Sequence, residues 1–133
     1  MKKLLFLLIA LILGATFNSI ILNVGMKIIP PPQGFDMNNP SELAKAMKVM
    51  EVRHFVFPFL AHALGTLLGV VFFTYFSKSN KLFFPMLIAG MFFAGGLYMV
   101  LILPSPIWFN VLDLVLAYFP MSVFGFKLAK QKA

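Results

Sequence analysis

The chain has 133 residues, of which 61% are hydrophobic and 11% charged, with a mean hydropathy of +0.94. Soluble domains carry about a quarter charged residues, so too little polar surface exists here to cover a water-soluble globule. The absence of cysteine excludes disulfides, thiolate metal sites and cysteine nucleophiles. The net charge of +7 flanks apolar runs instead of forming a basic stripe among aromatics, which argues against a nucleic-acid face.

Four apolar runs follow in chain order, about 4–24, 55–76, 82–103 and 107–126. Each is roughly 20 residues, enough at about 1.5 Å per residue to cross a hydrocarbon layer of about 30 Å. Period-two alternation is absent, and lipid offers the backbone no hydrogen-bond partner, so the runs are read as helices and not as barrel strands. The first run also has the outline of a signal peptide, with Lys2 and Lys3 ahead of it and Gly14-Ala15 as a cut site. Apolar residues continue past that point through Ile20, Ile21, Leu22 and Val24, which favours a retained helix.

The loop 25–54 comes next. Ile29-Pro30-Pro31-Pro32 is extended, because proline fixes φ and disfavours helix before it. Asn39-Pro40-Ser41-Glu42 reads as a helix start, with Asn39 capping and Pro40 in the first turn. Leu43, Ala46, Met47 and Met50 then share one face, predicting a short amphipathic helix on the outer interface or over the bundle mouth. The third connection is Pro104-Ser105-Pro106, with Ser105 as the expected cap of the fourth helix. Pro58, Pro85 and Pro120 either kink or start their helices.

Seven lysines (Lys2, Lys3, Lys78, Lys81, Lys127, Lys130 and Lys132) fall on one side with no acid among them, while the other side nets +1. The positive-inside rule therefore predicts cytoplasmic termini. Trp108 and Tyr98 read as interface anchors on the opposite side.

Polar residues at membrane depth are costly and usually face a bundle interior. Asp113 lies about 10 Å, and His62 about 12 Å, below the outer ends of their helices. The two helices run in the same direction, so the side chains share one level. Asn18, Asn110 and Tyr98 fall in the same layer, as do Thr16, Ser19 and Asn23, which recur on one face of the first helix. A His62–Asp113 pair would compensate charge, with Asn18 or Tyr98 filling the remaining hydrogen-bond positions. Because histidine titrates near neutrality, this pair reads either as a proton relay or as a polar lock that fixes helix register.

Small residues mark faces for close helix approach, Gly65 with Gly69 and Gly90 with Ala94, whether the partner helix belongs to this chain or to a copy. Glu51 and His54 have the ExxH spacing of di-iron bundles, but four acids in the whole chain are too few for such a site. Met47, Met50 and His54 have a spacing that suits Cu(I), but the reading preferred is an apolar face filled by methionine. No metal and no cofactor is expected.

Two stretches carry a resemblance. His62-Ala63-Leu64-Gly65-Thr66-Leu67-Leu68-Gly69, entered through Phe57-Pro58-Phe59, is one. Pro104 to Phe109, leading to Leu112-Asp113-Leu114 and Tyr118-Phe119-Pro120-Met121, is the other. Together with Pro30-Pro31-Pro32 and the loop helix, they resemble an uncharacterised family of short bacterial four-span inner-membrane proteins. The resemblance implies an inner-membrane location and brings no activity. Small multidrug-resistance transporters share the length, but they rely on a glutamate in a first span that here has no acid. Fluoride channels share a Gly65-Thr66-Leu67 fragment and little else.

The expectation is thus an all-α membrane four-helix bundle forming a single domain, with a bilayer and either a homo-oligomer or a larger membrane complex as partners. The role is small-solute or proton-linked transport, or that of a non-catalytic accessory subunit. No nucleophile–base pair points to an enzyme.

Overall fold

A computed structural model describes residues 1–132; Ala133 lies outside them. Among the described residues the structure is helical, with no strand: α1 (Lys2–Ile28), α2 (Pro40–Met47), a 3-10 turn (Val52–Phe55), α3 (Val56–Ser77), α4 (Phe83–Ile102), α5 (Ile107–Leu116) and α6 (Phe119–Lys132). Four helical segments are long and apolar enough to cross a membrane: Lys2–Ile28, Val52–Ser77, Phe83–Ile102 and Ile107–Gln131.

The boundaries follow from local chemistry. α1 stops where Pro30-Pro31-Pro32 removes successive donors, and the Ile29 amide makes its last bond, to the Gly25 carbonyl at 2.8 Å. α2 starts as its sequence dictates: Asn39 Oδ1 accepts from the Ser41 amide at 3.0 Å and Pro40 takes the first position. Pro58, Pro85 and Pro120 all fall in the first turn of their helices, where an amide has no intrahelical acceptor to lose. Pro58 and Pro85 start helices without kinking them, whereas Pro120, at the start of α6, interrupts the fourth span between α5 and α6. Ser105 does not cap α5. Pro106 holds the cap position, and the Ser105 hydroxyl donates instead to Asn110 Oδ1.

α3 is the hub and packs against α1, α4 and α6. Its meeting with α1 is backbone to backbone. A Cβ added to Gly65 would lie 2.8 Å from the Gly14 carbonyl oxygen, and one on Gly69 would lie 2.9 Å from that of Ala10. Only glycine permits that approach, so the Gly65/Gly69 pair is used within the chain. Gly90 is different, since a Cβ there meets nothing within 4 Å. Ala94 is exposed as well, so this pair does not pack within the bundle. α4 instead buries Pro85, Ile88, Ala89 and Gly96.

Toward the lysine-rich end the core is Leu7, Ala10, Val70, Phe73 and Ile88; a second cluster holds Ala63, Ala89, Ala117 and Tyr118. The outside is strongly apolar, with Leu101 76% and Ile107 81% exposed. Lys3 sits over the Phe84 ring, and Phe6, Phe84 and Phe126 all pack against the Leu7 core, which brings the starts of α1 and α4 and the later part of α6 together at one end of the bundle.

Candidate functional site

The polar centre is assembled on α3, α5 and the start of α6. His62 lies one turn after Pro58. Its carbonyl accepts from Thr66 Oγ1 at 2.8 Å, a back-bond that keeps the threonine hydroxyl satisfied inside an apolar helix. His62 Nδ1 is 2.9 Å from both Asp113 oxygens, within hydrogen-bond distance of each. Asp113 is 2% exposed. The Tyr118 hydroxyl donates to Asp113 Oδ2 at 3.2 Å, and its ring stacks on His62 with centroids 5.8 Å apart. A side chain at Gly96 would collide with that hydroxyl, so glycine there leaves room for Tyr118.

Tyr118 reaches Asp113 because the fourth span is not one helix. In a continuous helix, residues five apart point about 140° away from each other. Pro120 has no amide for the Leu116 carbonyl, and its ring crowds that carbonyl, so α5 ends at Leu116 and α6 restarts at Phe119. The intervening turn swings Tyr118 back beside Asp113. Pro120→Ala should let α5 and α6 fuse and withdraw the hydroxyl. Tyr118→Phe is then expected to cost about 1 kcal/mol in the native background and nothing in the Pro120→Ala background. A double-mutant cycle of reversible unfolding in mixed micelles measures this.

The remaining members of the expected polar layer lie elsewhere. Asn110 bonds with Ser105 through both hydroxyl and carbonyl and does not touch the pair. Tyr98 is 62% exposed and makes no bond to Asp113. Asn18 rests its Cβ against Gly65, and its Oδ1 is buried without a partner among the described residues. The position expected for Asn18 or Tyr98 is filled by Tyr118. Thr16, Ser19 and Asn23 are exposed, and Asn23 satisfies itself on the Ser19 carbonyl at 2.8 Å. Sequence reasoning missed Tyr118 and Thr66. The signal for Tyr118 was the proline two residues after it.

His62 and Asp113 form the floor of a cavity of about 290 Å³. Leu22 and Met26 of α1, Leu43 and Met47 of α2, and Phe57 and Met99 form much of its wall. Met50 and His54 line it as well. A second cavity, of about 360 Å³, lies between α1, α3 and α4, bordered by Asn18, Thr66, Tyr98 and Tyr118. His62, Gly96 and Met99 border both, so His62 stands at the partition. The ExxH segment serves as a cap: His54 Nδ1 accepts from the Glu51 amide at 2.9 Å, and Glu51 pairs with Arg53 Nε at 3.0 Å.

Such a floor can hold one proton between acid and base, orient the imidazole, and offer its far nitrogen to a bound molecule. Comparisons with protein-family models, curated proteins and solved structures returned no match.

Proposed function

We propose that this chain is a multi-pass protein of the bacterial inner membrane that binds a small, largely apolar solute and passes it on with a proton held at His62, without catalysing a reaction. Its lysine-rich end lies in the cytoplasm, and α2 lies at the outer interface over the cavity mouth. The observation that carries this reading is the His62–Asp113 pair at the floor of an apolar cavity, with a second cavity beyond the same imidazole. Ligand sites are mostly apolar pockets with a few converging polar groups, and this cavity has that character at the small end of the size range.

Purified protein in liposomes is expected to move protons under an imposed gradient, read with an entrapped pH dye. His62→Ala should reduce that flux at least tenfold while the protein still elutes as a single folded species. Asp113→Asn keeps a polar contact but cannot hold the proton, so it should also lose the flux, whereas a mere register lock would tolerate it. A flat trace from folded native protein rejects transport.

A second reading, that of a non-catalytic accessory subunit, draws on α4. A Cβ at Gly90 meets nothing within 4 Å and Ala94 is exposed, so another helix could approach this face closely. Mild detergent extraction should then recover a stable heterologous partner, and recovery of the homo-oligomer alone counts against this role.

A further inference from the structure

We infer that the second cavity seats one acyl chain of a membrane phospholipid, which enters sideways between α1 and α4 and ends beside His62. This seat is separate from the solute cavity proposed above and does not depend on where the proton of the His62–Asp113 pair lies.

α1 packs mainly on α3 and touches α4 little. Where the two do meet, the Phe92 ring lies on Gly14: a Cβ there would be 2.7 Å from Phe92 Cζ. That ring closes the gap toward the lysine-rich end. About one turn further along α4 stands Gly95, where a Cβ meets nothing within 4 Å, so the gap opens again. The cavity of about 360 Å³ occupies this space, with Ala15 and Asn18 on the α1 side and Phe92, Gly95 and Met99 on the α4 side. Ala15 and Gly95 are exposed and mark its rim.

Counting along the helices gives the depth of that rim. Ala15 lies 13 residues after Lys2 and Gly95 lies 12 after Phe83, about 20 and 18 Å from the lysine-rich end. Gly95 is also seven residues before Ile102, about 10 Å from the opposite end of α4. This level falls inside a hydrocarbon layer of about 30 Å, where an opening in the side of a bundle faces lipid chains and not water.

A slender apolar occupant fits best. An empty space forfeits van der Waals contact along its lining. Water fills an internal space where two to four polar groups converge. Here the Thr66 hydroxyl is engaged by the His62 carbonyl and the Tyr118 hydroxyl by Asp113, while Tyr98 stands 62% exposed. Apart from these, Asn18 and His62, the lining is glycine, alanine, phenylalanine and methionine. A helix of a second copy, about 10 Å across, is too thick for a space of this volume. A single hydrocarbon chain is thin enough, and the bilayer supplies it in excess.

The test uses native protein in nanodiscs containing a phospholipid with a mid-chain diazirine, photolysed and mapped by peptide mass spectrometry. Val111 and Val115 are the reference positions. They are 58% and 59% exposed, lie at similar depth on α5 and border neither cavity. A seated chain should insert into Asn18, Phe92 and Met99 about tenfold more than passing chains insert into the two valines, the ratio of a modest site preference. Gly95→Trp fills the opening from a position with free space around it, and Ala15→Trp does so from the facing rim. Each variant should abolish the excess insertion and leave Val111 and Val115 unchanged while the protein elutes as a single folded species; if one misfolds, the other supplies the readout. Insertion at the cavity no higher than on α5, the result when water or a second copy fills it, overturns the assignment. So does excess insertion that a folded tryptophan variant leaves intact. Proton flux enters neither outcome, so transport and the chain seat fail separately.

Discussion

Asp113→Ala is expected to destabilise the folded bundle by about 3 kcal/mol, the usual scale for removing one partner of a buried pair. The carboxylate accepts from two side chains, His62 Nδ1 and the Tyr118 hydroxyl, and its removal leaves both without an acceptor in an apolar core. Single interhelical hydrogen bonds in membrane proteins average only about 0.6 kcal/mol, because the separated helices find other partners. A carboxylate that ties α3, α5 and the α6 start through two bonds should exceed that average. Asp113→Asn keeps one acceptor oxygen and should cost nearer 1 kcal/mol. Reversible unfolding in mixed micelles reads the two values. An alanine variant within about 1 kcal/mol of the native protein would show that the pair does not hold the helices in place.

Gly65→Leu should cost about as much by a different route. A side chain at Gly65 begins 2.8 Å from the Gly14 carbonyl oxygen, and that oxygen belongs to backbone that cannot rotate away. α1 must therefore shift outward and give up contact along Leu7, Ala10 and Gly14. Overpacking at a tight contact costs about 1–3 kcal/mol, and a rigid backbone neighbour places this case at the upper end. Gly90→Leu is the control, because a Cβ there meets nothing within 4 Å. Its effect on the isolated chain should stay within about 0.5 kcal/mol. Equal losses for the two variants would mean that α1 and α3 are not joined at these glycines.

Part of this site was readable from residue order alone. Rise per residue is local, so counting from His54 and from Pro106 was enough to set His62 and Asp113 at one level. Their contact at 2.9 Å also needs both helices turned the right way. Rotation is where the reading of α1 failed. Two faces competed there: Thr16, Ser19 and Asn23 on one, and Ala10, Gly14 and Asn18 on the other. The small-residue face won, because it lets two backbones touch, whereas hydroxyl and amide groups can satisfy themselves on their own helix, as Asn23 does on Ser19. On α4 the Gly90 and Ala94 face is left open within the chain, and the helix packs through Ile88, Ala89 and Gly96, whose side meets α3 and α6. Tyr118 was hidden by treating 107–126 as one helix. Ser105 was misassigned because Asn110, one turn further on, competed for its hydroxyl.

Residue order was sufficient for properties that add up along a segment: four apolar rods, their ends, the start of α2 and the clustering of lysines at one end. Hydrophobic length, capping and charge depend on near neighbours in the chain, so they need no partner to be defined. Folding alone decided how each rod is turned, which hydroxyl reaches Asp113, and that residues of α2 line one cavity with His62. A helix in an apolar medium gains little from one rotation over another until a second surface meets it, and here that surface was chosen by glycines that allow close approach and by a proline that breaks a helix.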